Sequence, residues 1–413
     1  MSATETRTTP PVTVREVFGD EIGTHARTIA NYAFGASPLP PESAASTERE
    51  RQAASEKYGA NTRHFVSFSG DQAQATAVLL NMTENVRGKI MSMAAIGAVA
   101  SMPAGRRQGH VRQIFVRMFE EMRESGQVVS TLYPFRESFY ERLGYVTAPR
   151  TRFVTLDPAH LSPLVRMDLP GTVEQASMTD GWETWRTFIE RVQQQTHGFA
   201  LRDRSADIRN RDENTRWLAF AYDDNGVVAG AMTFKITGYG KSLDVDRFYT
   251  TTTDAIYQLL SWIGRHVDQV KQARIEIAAD EYPDLWFHDL RPHTSTMLDE
   301  PWPGATLRVI SVDGLTGTDA GPGDFEIAIR ISDDYAPWNN GIFTFTGHDG
   351  SLTVTPGGEP ELDLSIQGLS ALVFCGHDPA TFRVRGWGTP DAAAQTTLRS
   401  LFPKAFPILH EGF

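Results

Sequence analysis

The residues with the clearest chemical potential lie between a predicted strand and a predicted helix. The segment 102–110 follows the predicted strand 89–101 and contains Gly105, Arg106, Arg107, Gly109 and His110. A glycine at 109 allows a phosphate to approach the main chain, and the amides and dipole at a helix start favour an anion. Arg106 and Arg107 can add charge-assisted hydrogen bonds, and the side chain of His110 or Arg112 could reach the same group. The segment therefore predicts a pyrophosphate site.

An exposed basic helix start is the alternative interpretation, and the Arg-x-x-Gly spacing alone favours it. The flanking segments favour the anion site instead, because a buried strand precedes the loop and an amphipathic helix follows it. Apolar residues recur in that helix at steps of three and four: Val111, Ile114, Phe115, Met118, Phe119 and Met122. Gly126 stands where a helix C-cap is expected.

The elements around this unit predict a mixed α/β domain. Alternating and apolar runs predict strands at 12–17, 64–69, 75–82, 89–101, 128–133 and 153–156. Helical spacing predicts helices at 22–33 and 138–143, the second stopped by Gly144. Residues 1–11 are interpreted as a loose arm and residues 36–60 as a long connection with a partial helix.

A similar order returns after Pro170, and a third texture begins near Gly304. Predicted helices at 184–192 and 256–267 alternate with strands at 217–222, 227–235, 245–249 and 273–278. Alternating strands at 325–331 and 342–346 and helices near 371–374 and 398–402 then indicate an α+β module. Since 413 residues exceed one hydrophobic core, we predict three domains, at 1–165, 166–300 and 301–413.

Composition and the remaining reactive side chains exclude several functional classes. A net charge of −12 disfavours nucleic acid and anionic membranes and permits cationic ligands such as amines. Without an apolar run of membrane-spanning length or a signal peptide, we predict a cytoplasmic protein. The single cysteine, Cys375, lies in an apolar run and is interpreted as a buried small residue. The histidines show no metal spacing and Ser138 lies in no nucleophile elbow, so we predict neither a metal nor a serine hydrolase.

The segment Ser101 to Val111 resembles the acetyl-CoA motif of GNAT-superfamily N-acetyltransferases. Two further segments, Tyr133-Pro134-Phe135-Arg136-Glu137-Ser138-Phe139-Tyr140-Glu141-Arg142-Leu143-Gly144-Tyr145 and His410-Glu411-Gly412-Phe413, resemble the Eis (enhanced intracellular survival) family. That resemblance covers essentially the whole chain. It implies tandem GNAT folds, each a mixed sheet flanked by helices, followed by a sterol-carrier-protein-like α+β domain. The second GNAT domain would be degenerate, since residues 245–254 hold no phosphate loop.

The resemblance also implies an activity and residue roles. Acetyl-CoA and a primary amine would bind together, and the amine would attack directly; aminoglycosides, polyamines or lysine side chains are the implied acceptors, and hexamers the implied assembly. Val99, Ala100 and Ser101 would hold pantetheine and polarise the carbonyl through main-chain groups, while Arg106, Arg107, Gly109 and His110 would hold the diphosphate. Tyr140 would protonate the departing thiolate, although an ordinary packed helix tyrosine is the alternative.

The terminal residue has an implied role as well. The α-carboxylate of Phe413 would help to deprotonate the amine, although a carboxylate of pKa about 3.5 needs a raised pKa or a bridging water to do so. Glu411 and His410 would bind a substrate ammonium or simply be exposed. Where the family often has an acidic residue before the last one, this sequence has Gly412.

Two other interpretations remain open. One is a lipid-binding or scaffolding protein in which the sterol-carrier-like domain acts and the acyltransferase fold is residual. The intact loop from Arg106 to Gly109 argues against it. The other is an acyl donor longer than acetyl, which the sequence does not decide.

Overall fold

The computed structural model describes residues 11–35, 62–296 and 304–413, together with Ala53 and Lys57. The predicted arm and the predicted connection lie, apart from Pro11, Ala53 and Lys57, outside the described residues. Within the described chain, strands form three sheets of eight, seven and four strands, here called the N-terminal, central and C-terminal sheets.

The N-terminal sheet is built on a long antiparallel meander, as the sequence predicts. Its strands, in spatial order, are Val12–Val17, Thr62–Ser69, Gln72–Val86, Lys89–Ser101, Val129–Leu132, Thr306–Val309 and Val146–Thr147, with Ala200–Arg202 paired to Gln72–Val86. Its helices are a π-helical turn Ile22–Arg27 continued by Thr28–Ala33, then His110–Glu124 and Glu137–Glu141. The helix His110–Glu124 buries its predicted apolar stripe against the sheet, in a cluster with Phe65, Leu79 and Ile96.

The central sheet repeats this plan with different connections. Its strands, in spatial order, are His293–Thr296, Arg152–Leu156, Gln272–Ile277, Ser242–Thr250, Val228–Ile236, Trp217–Tyr222 and Thr172–Ser177. Its helices are Ser162–Val165, Met178–Gln195, Arg204–Glu213 and Thr253–Gly264. Side-chain oxygens of Ser177, Asp203 and Thr252 cap the starts of the last three helices.

The C-terminal sheet carries its helices mainly on one side. Its strands are Ser351–Pro356, Gly341–His348, Phe325–Ser332 and Leu362–Ser365, and its helices are Ile366–Phe374, Phe382–Arg385 and Ala392–Leu401. The helix Ile366–Phe374 packs on the N-terminal sheet, and one apolar cluster spans both. Short 3₁₀ turns occur at 103–105, 158–161, 283–285, 313–315, 337–339 and 379–381.

The sheets exchange strands across the predicted boundaries at 165 and 300. Arg152–Leu156, predicted as part of the first region, pairs with Gln272–Ile277 in the central sheet. In return, Thr306–Val309 pairs with Val129–Leu132 in the N-terminal sheet. Sheet membership therefore does not follow the chain order that the sequence suggests, because strand pairing is decided by tertiary contact.

Arg308, one partner of a buried ion pair in the third region, also contacts the first region. Arg308 and Asp333 are fully buried and lie 2.6 Å apart, and the Arg308 guanidinium stands 4.0 Å above the ring of Phe119. Arg308 also donates to the Leu143 carbonyl, directly before Gly144. Gly144 has φ of 91°, and any side chain there would collide with Arg308. The turn after the helix Glu137–Glu141 is fixed in this way.

Candidate active site

Two parallel strands of the N-terminal sheet separate at one end and open a cleft. Lys89–Ser101 pairs with Val129–Leu132 from Met93 opposite Val129 as far as Ile96 opposite Leu132. Beyond Ile96 the first strand continues to Ser101. Over this stretch it pairs, among the described strands, with Gln72–Val86 on its other edge and with no strand on this one. Its free edge therefore exposes main-chain groups to any ligand that enters the cleft.

A β-bulge shapes this free edge. The register with the neighbouring strand shifts between Thr76, opposite Ala100, and Val78, opposite Gly97. Ala98, inside the bulge, has φ of 48°, a left-handed conformation that non-glycine residues seldom adopt. A Cβ atom at Gly97 would lie 3.6 Å from the carboxyl carbon of Phe413, an ordinary van der Waals distance. The chain's last residue therefore packs against this edge.

The loop 102–109 connects this strand to the helix His110–Glu124. Arg107 has φ of 61° and Gly109 has φ of 86°, and Gly109 is the N-cap without a side-chain cap. The first amide of the helix with a partner in the described chain is that of Gln113, which donates to the Gly109 carbonyl at 3.0 Å. The amides that precede it are therefore available to an anion.

The two predicted arginines stand free beside these amides. Arg106 and Arg107 are exposed, and neither guanidinium forms an ion pair with a described residue. They can reach a phosphate without breaking an existing contact. The loop thus keeps the donors that the sequence analysis assigned to a diphosphate.

The structure corrects one part of that assignment. The side chain of His110 is 2% exposed and points into the protein, and burial lowers its pKa. Neither ring nitrogen has a hydrogen-bond partner among the described residues. His110 falls four residues before Ile114 on the buried stripe of the helix, so its main-chain amide alone can serve the loop.

A cavity of about 400 Å³ opens where the strands separate. Among the predicted residues it brings together Val99, Tyr140 and Phe413. Ala100 and Ser101 continue the free edge outside the cavity lining, and the side chain of Ala100 packs in a separate apolar cluster. The rest of the wall comes from several segments of the chain: residues 34, 96–98, 132, 133, 135, 149–151, 304, 305, 409 and 412.

Tyr140 brings a phenol to this cavity. It is 2% exposed and surrounded by Phe115, Phe135, Phe139 and Tyr145 at ring distances of 5.0–6.3 Å. Burial raises its pKa above the ordinary value, so the phenol stays protonated at neutral pH. The neighbouring Tyr145 differs, because its hydroxyl is bonded to Ser130 at 2.8 Å. Tyr140 can therefore donate a proton to a group in the cavity.

The last residues of the chain line the same cavity. Residues 403–413, here called the tail, follow the helix Ala392–Leu401. The ring of Phe413 stands edge-on to Tyr133 with centroids 5.2 Å apart, and the Tyr133 hydroxyl donates to the Glu411 carbonyl at 2.8 Å. Arg202 donates to the Gly412 carbonyl at 2.6 Å. The end of the tail therefore contacts both the first and the second region.

One of the two alternatives for His410 and Glu411 was that their side chains are exposed. The structure shows that they are not. His410 is 7% exposed, stacks on Phe199 and lies 2.9 Å from the Tyr249 hydroxyl. Glu411 lies 3.3 Å from Arg202, and desolvation raises its pKa. Neither side chain lines the cavity.

Four further residues of the site had no role predicted from the sequence: Gly97, Ala98, Tyr133 and Arg202. No local pattern marks Arg202, since its contact spans 210 residues.

Family comparisons agree with this architecture. Residues 15–148 and 188–309 match acetyltransferase (GNAT) domain families, and residues 315–410 match a sterol carrier protein domain family. The chain therefore carries two GNAT acetyltransferase domains followed by a sterol carrier protein domain, and the predicted fold class is confirmed. Acyl transfer is the general chemistry of such domains.

Solved structures share the fold along nearly the whole chain. A conserved protein of unknown function from Enterococcus faecalis V583, described as a probable N-acyltransferase, has 23% identity and a TM-score of 0.80, and the match covers 98% of this chain and 100% of that one. A GCN5-related N-acetyltransferase from Anabaena variabilis has 18% identity and a TM-score of 0.78, over 97% and 99% of the chains. Eis1 from Mycobacterium abscessus has 15% identity and a TM-score of 0.77, over 97% and 100%.

Three further searches found nothing. No curated protein matches the chain in sequence. In the part of the chain that the structure describes, no group of three histidine, cysteine, aspartate or glutamate side chains is placed to hold a metal ion. None of the described helices has the length and apolar character needed to span a membrane.

Proposed function

We propose that this chain, which carries two GNAT acetyltransferase domains and a sterol carrier protein domain, moves an acetyl group from acetyl-CoA to a primary amine of a cationic substrate. One observation carries the proposal. Free amides at the start of His110–Glu124 stand beside a strand separation that opens into a cavity containing Tyr140 and Phe413. An anion site, an open strand edge and a proton donor are the parts that such a transfer requires.

The loop and the free strand edge fit coenzyme A. The amides at the helix start, with Arg106 and Arg107, would hold the diphosphate, and main-chain groups of Val99, Ala100 and Ser101 would hold the pantetheine arm. Gly109 leaves the approach to these amides open, because it has no side chain. Acetyl-CoA supplies the acetyl group and a thiolate leaving group.

Tyr140 and Phe413 would handle the protons. The Tyr140 phenol, which is protonated at neutral pH, would donate to the departing thiolate. The main-chain carboxylate of Phe413, placed against Gly97, would accept a proton from the substrate ammonium directly or through a water, so that the neutral amine can attack. Both groups act without a covalent enzyme intermediate, and the two substrates would be bound together.

The finer parts of the proposal rest on the resemblance to the Eis family. They are membership of that family, an aminoglycoside, a polyamine or a lysine side chain as acceptor, a hexameric assembly and a cytoplasmic location. We likewise propose three domains, at residues 1–165, 166–300 and 301–413. Two strands cross these boundaries: Arg152–Leu156 pairs in the central sheet, and Thr306–Val309 pairs in the N-terminal sheet.

Calorimetric titration with acetyl-CoA tests the proposal. We expect one saturable site, weakened about tenfold in Arg106→Ala and in Arg107→Ala, since each loses a charge-assisted bond. Arg209→Ala, which removes an exposed arginine of the second domain, is the matched control and should bind like wild type. The absence of saturable binding would favour a lipid-binding or scaffolding protein with a residual acyltransferase fold.

Thiol release then identifies the substrates. Acetyl-CoA and longer acyl donors are tested against a panel of aminoglycosides, polyamines and lysine peptides. We expect amine-dependent thiol release with acetyl-CoA. Release that is independent of every amine would contradict the proposed transfer.

A further inference from the structure

The tail reaches the first domain's cavity by crossing the second domain. The amide of Ile408 donates to the His197 carbonyl at 2.9 Å, and Pro407 packs on Gly198 so closely that any side chain at 198 would collide with it. His410 then enters an aromatic enclosure, 4.7 Å from the ring of Phe199 and nearly parallel to it. The segment that ends in the cavity is thus held mainly by the second domain.

The second domain offers its own strand separation to the tail. Ser242–Thr250 and Gln272–Ile277 pair in parallel and separate beyond Val245 opposite Ile275, as the corresponding strands of the first domain do. The cavity of about 210 Å³ at that separation is walled by Arg247, Tyr249, Glu276 and residues 407–409. The place that corresponds to the first domain's cofactor cleft is therefore bordered by the tail.

Among the contacts described here between the second domain and the tail, that of Arg202 lies nearest to the end of the chain. It ends the strand Ala200–Arg202, which pairs with Gln72–Val86 of the first domain, so its main chain is fixed to both domains. Its guanidinium donates to the Gly412 carbonyl at 2.6 Å and lies 3.3 Å from the Glu411 carboxylate. Glu411 is buried and its other oxygen has no partner among the described residues, so Arg202 is its compensating charge.

We propose that Arg202 of the second domain is a positioning residue, which holds Glu411 and Gly412 so that Phe413 faces Tyr140 across the first domain's cavity. The second GNAT domain then serves as the receptor for the tail. Arg202 touches neither substrate, and it acts through the tail main chain. The inference rests on the proposed acetyl transfer for its catalytic readout, and on tail docking alone for its structural readout.

The structural readout is hydrogen–deuterium exchange of the full-length protein, followed in the peptide that covers residues 407–413. In Arg202→Ala we expect exchange in this peptide to rise about tenfold, because the guanidinium that closes the contact is gone. Peptides of the loop 102–109 should not change. Arg209→Ala, in the adjacent helix Arg204–Glu213, carries the same substitution without contact to the tail and should exchange like wild type.

The catalytic readout separates positioning from folding. We expect Arg202→Ala to lower kcat about tenfold or more while KM for acetyl-CoA stays within about twofold, because a small displacement of a reacting group slows the chemical step. Arg202→Lys should recover most of kcat, since an ammonium can still donate to the Gly412 carbonyl. Tyr133→Phe, which removes the bond to the Glu411 carbonyl alone, should lower kcat in the same direction by less.

The outcomes are distinguishable. Unchanged exchange in 407–413, or raised exchange with unchanged kcat, would overturn the positioning role. If Arg202→Ala does not fold, Arg202→Lys and Tyr133→Phe decide the question by the same two measurements. If wild type acetylates no amine, the proposed function fails, and the exchange comparison still decides whether Arg202 docks the tail.

Discussion

The two GNAT domains share a parallel strand pair that separates at one end, yet their helix starts differ. In the first domain, the loop 102–109 ends in Gly109 with φ of 86° and no side-chain cap. In the second, residues 251–252 alone connect the strand to the helix Thr253–Gly264, and the Thr252 hydroxyl accepts the amide of Ala255 at 3.3 Å. A helix start whose amide is already satisfied, with no loop before it, has little to offer a diphosphate.

The side chain proposed as the proton donor of the first domain also has no counterpart at the corresponding place in the second. Tyr140 brings a phenol to the first cavity, whereas the element after the corresponding strand of the second domain places Trp286 beside its cavity. The indole N–H of Trp286 already donates to Glu281 at 2.6 Å. Two domains of the same fold can therefore have different roles when the loop before the helix and the side chain beside the cavity differ. The second domain retains a cleft, and the tail borders it.

The largest expected effect tests the donor half of this comparison. Tyr140→Phe should lower kcat about 100-fold, because general acid catalysis typically contributes factors of this order, while acetyl-CoA affinity stays within about twofold. Steady-state thiol release and calorimetry measure the two quantities. Tyr145→Phe is the matched control, since its hydroxyl bonds Ser130 rather than facing the cavity, and its kcat should be near wild type. Equal turnover in Tyr140→Phe and wild type would remove Tyr140 from the mechanism.

The next effect tests the helix start. Gly109→Thr gives the first domain the N-cap residue of the second, and it also forces a β-branched residue into a left-handed conformation at a cost of about 1–3 kcal/mol. We expect acetyl-CoA to bind at least about tenfold more weakly, by calorimetry, since the hydroxyl competes for an amide and the loop is strained. Space is not the cause, because the nearest atom to a side chain at 109 would be an Arg112 nitrogen at 3.8 Å.

The reciprocal change is its control. Thr252→Gly removes the cap of the second domain and should leave acetyl-CoA affinity unchanged, with a stability loss of a few tenths of a kcal/mol. A gain of a second acetyl-CoA site in Thr252→Gly would show that the cap alone separates the two domains. An unchanged affinity in Gly109→Thr would show that the helix amides do not bind the cofactor.

The sequence predicted those parts of the site that local patterns specify. The helix His110–Glu124 follows from the spacing of its apolar residues, and the turn at Gly109 follows from its glycine and the flanking elements. The side chain of His110 lies on the buried stripe of the helix, as its spacing of four from Ile114 indicates, and the prediction for the loop did not use that spacing. The contact between Arg202 and Gly412 and the return of Thr306–Val309 to the N-terminal sheet depend on long-range packing, which has no local pattern.

The smallest effect concerns the point where the two domains meet. Glu84 pairs in register with Ala200 of the second domain and with Met91 of its own sheet, and it is fully buried. Neither carboxylate oxygen has a hydrogen-bond partner among the described residues. Desolvation raises its pKa to about 8, and the nearby Thr131 hydroxyl opposes that rise.

This raised pKa gives stability a defined pH dependence. Below the ordinary pKa of 4.5 both the folded and the unfolded chain hold the proton, so the contribution of Glu84 is fully present. Between 4.5 and about 8 only the folded chain holds it, and stability falls with rising pH by up to about 1.4 kcal/mol per unit. Glu84→Gln cannot titrate, so its Tm should fall less than that of wild type from pH 5 to pH 8, by a few degrees in scanning calorimetry. Glu120→Gln, which removes an exposed carboxyl from the helix His110–Glu124, is the control, and its Tm should change with pH as that of wild type does. If the curves of Tm against pH are parallel for all three proteins, Glu84 is not protonated where the two domains meet.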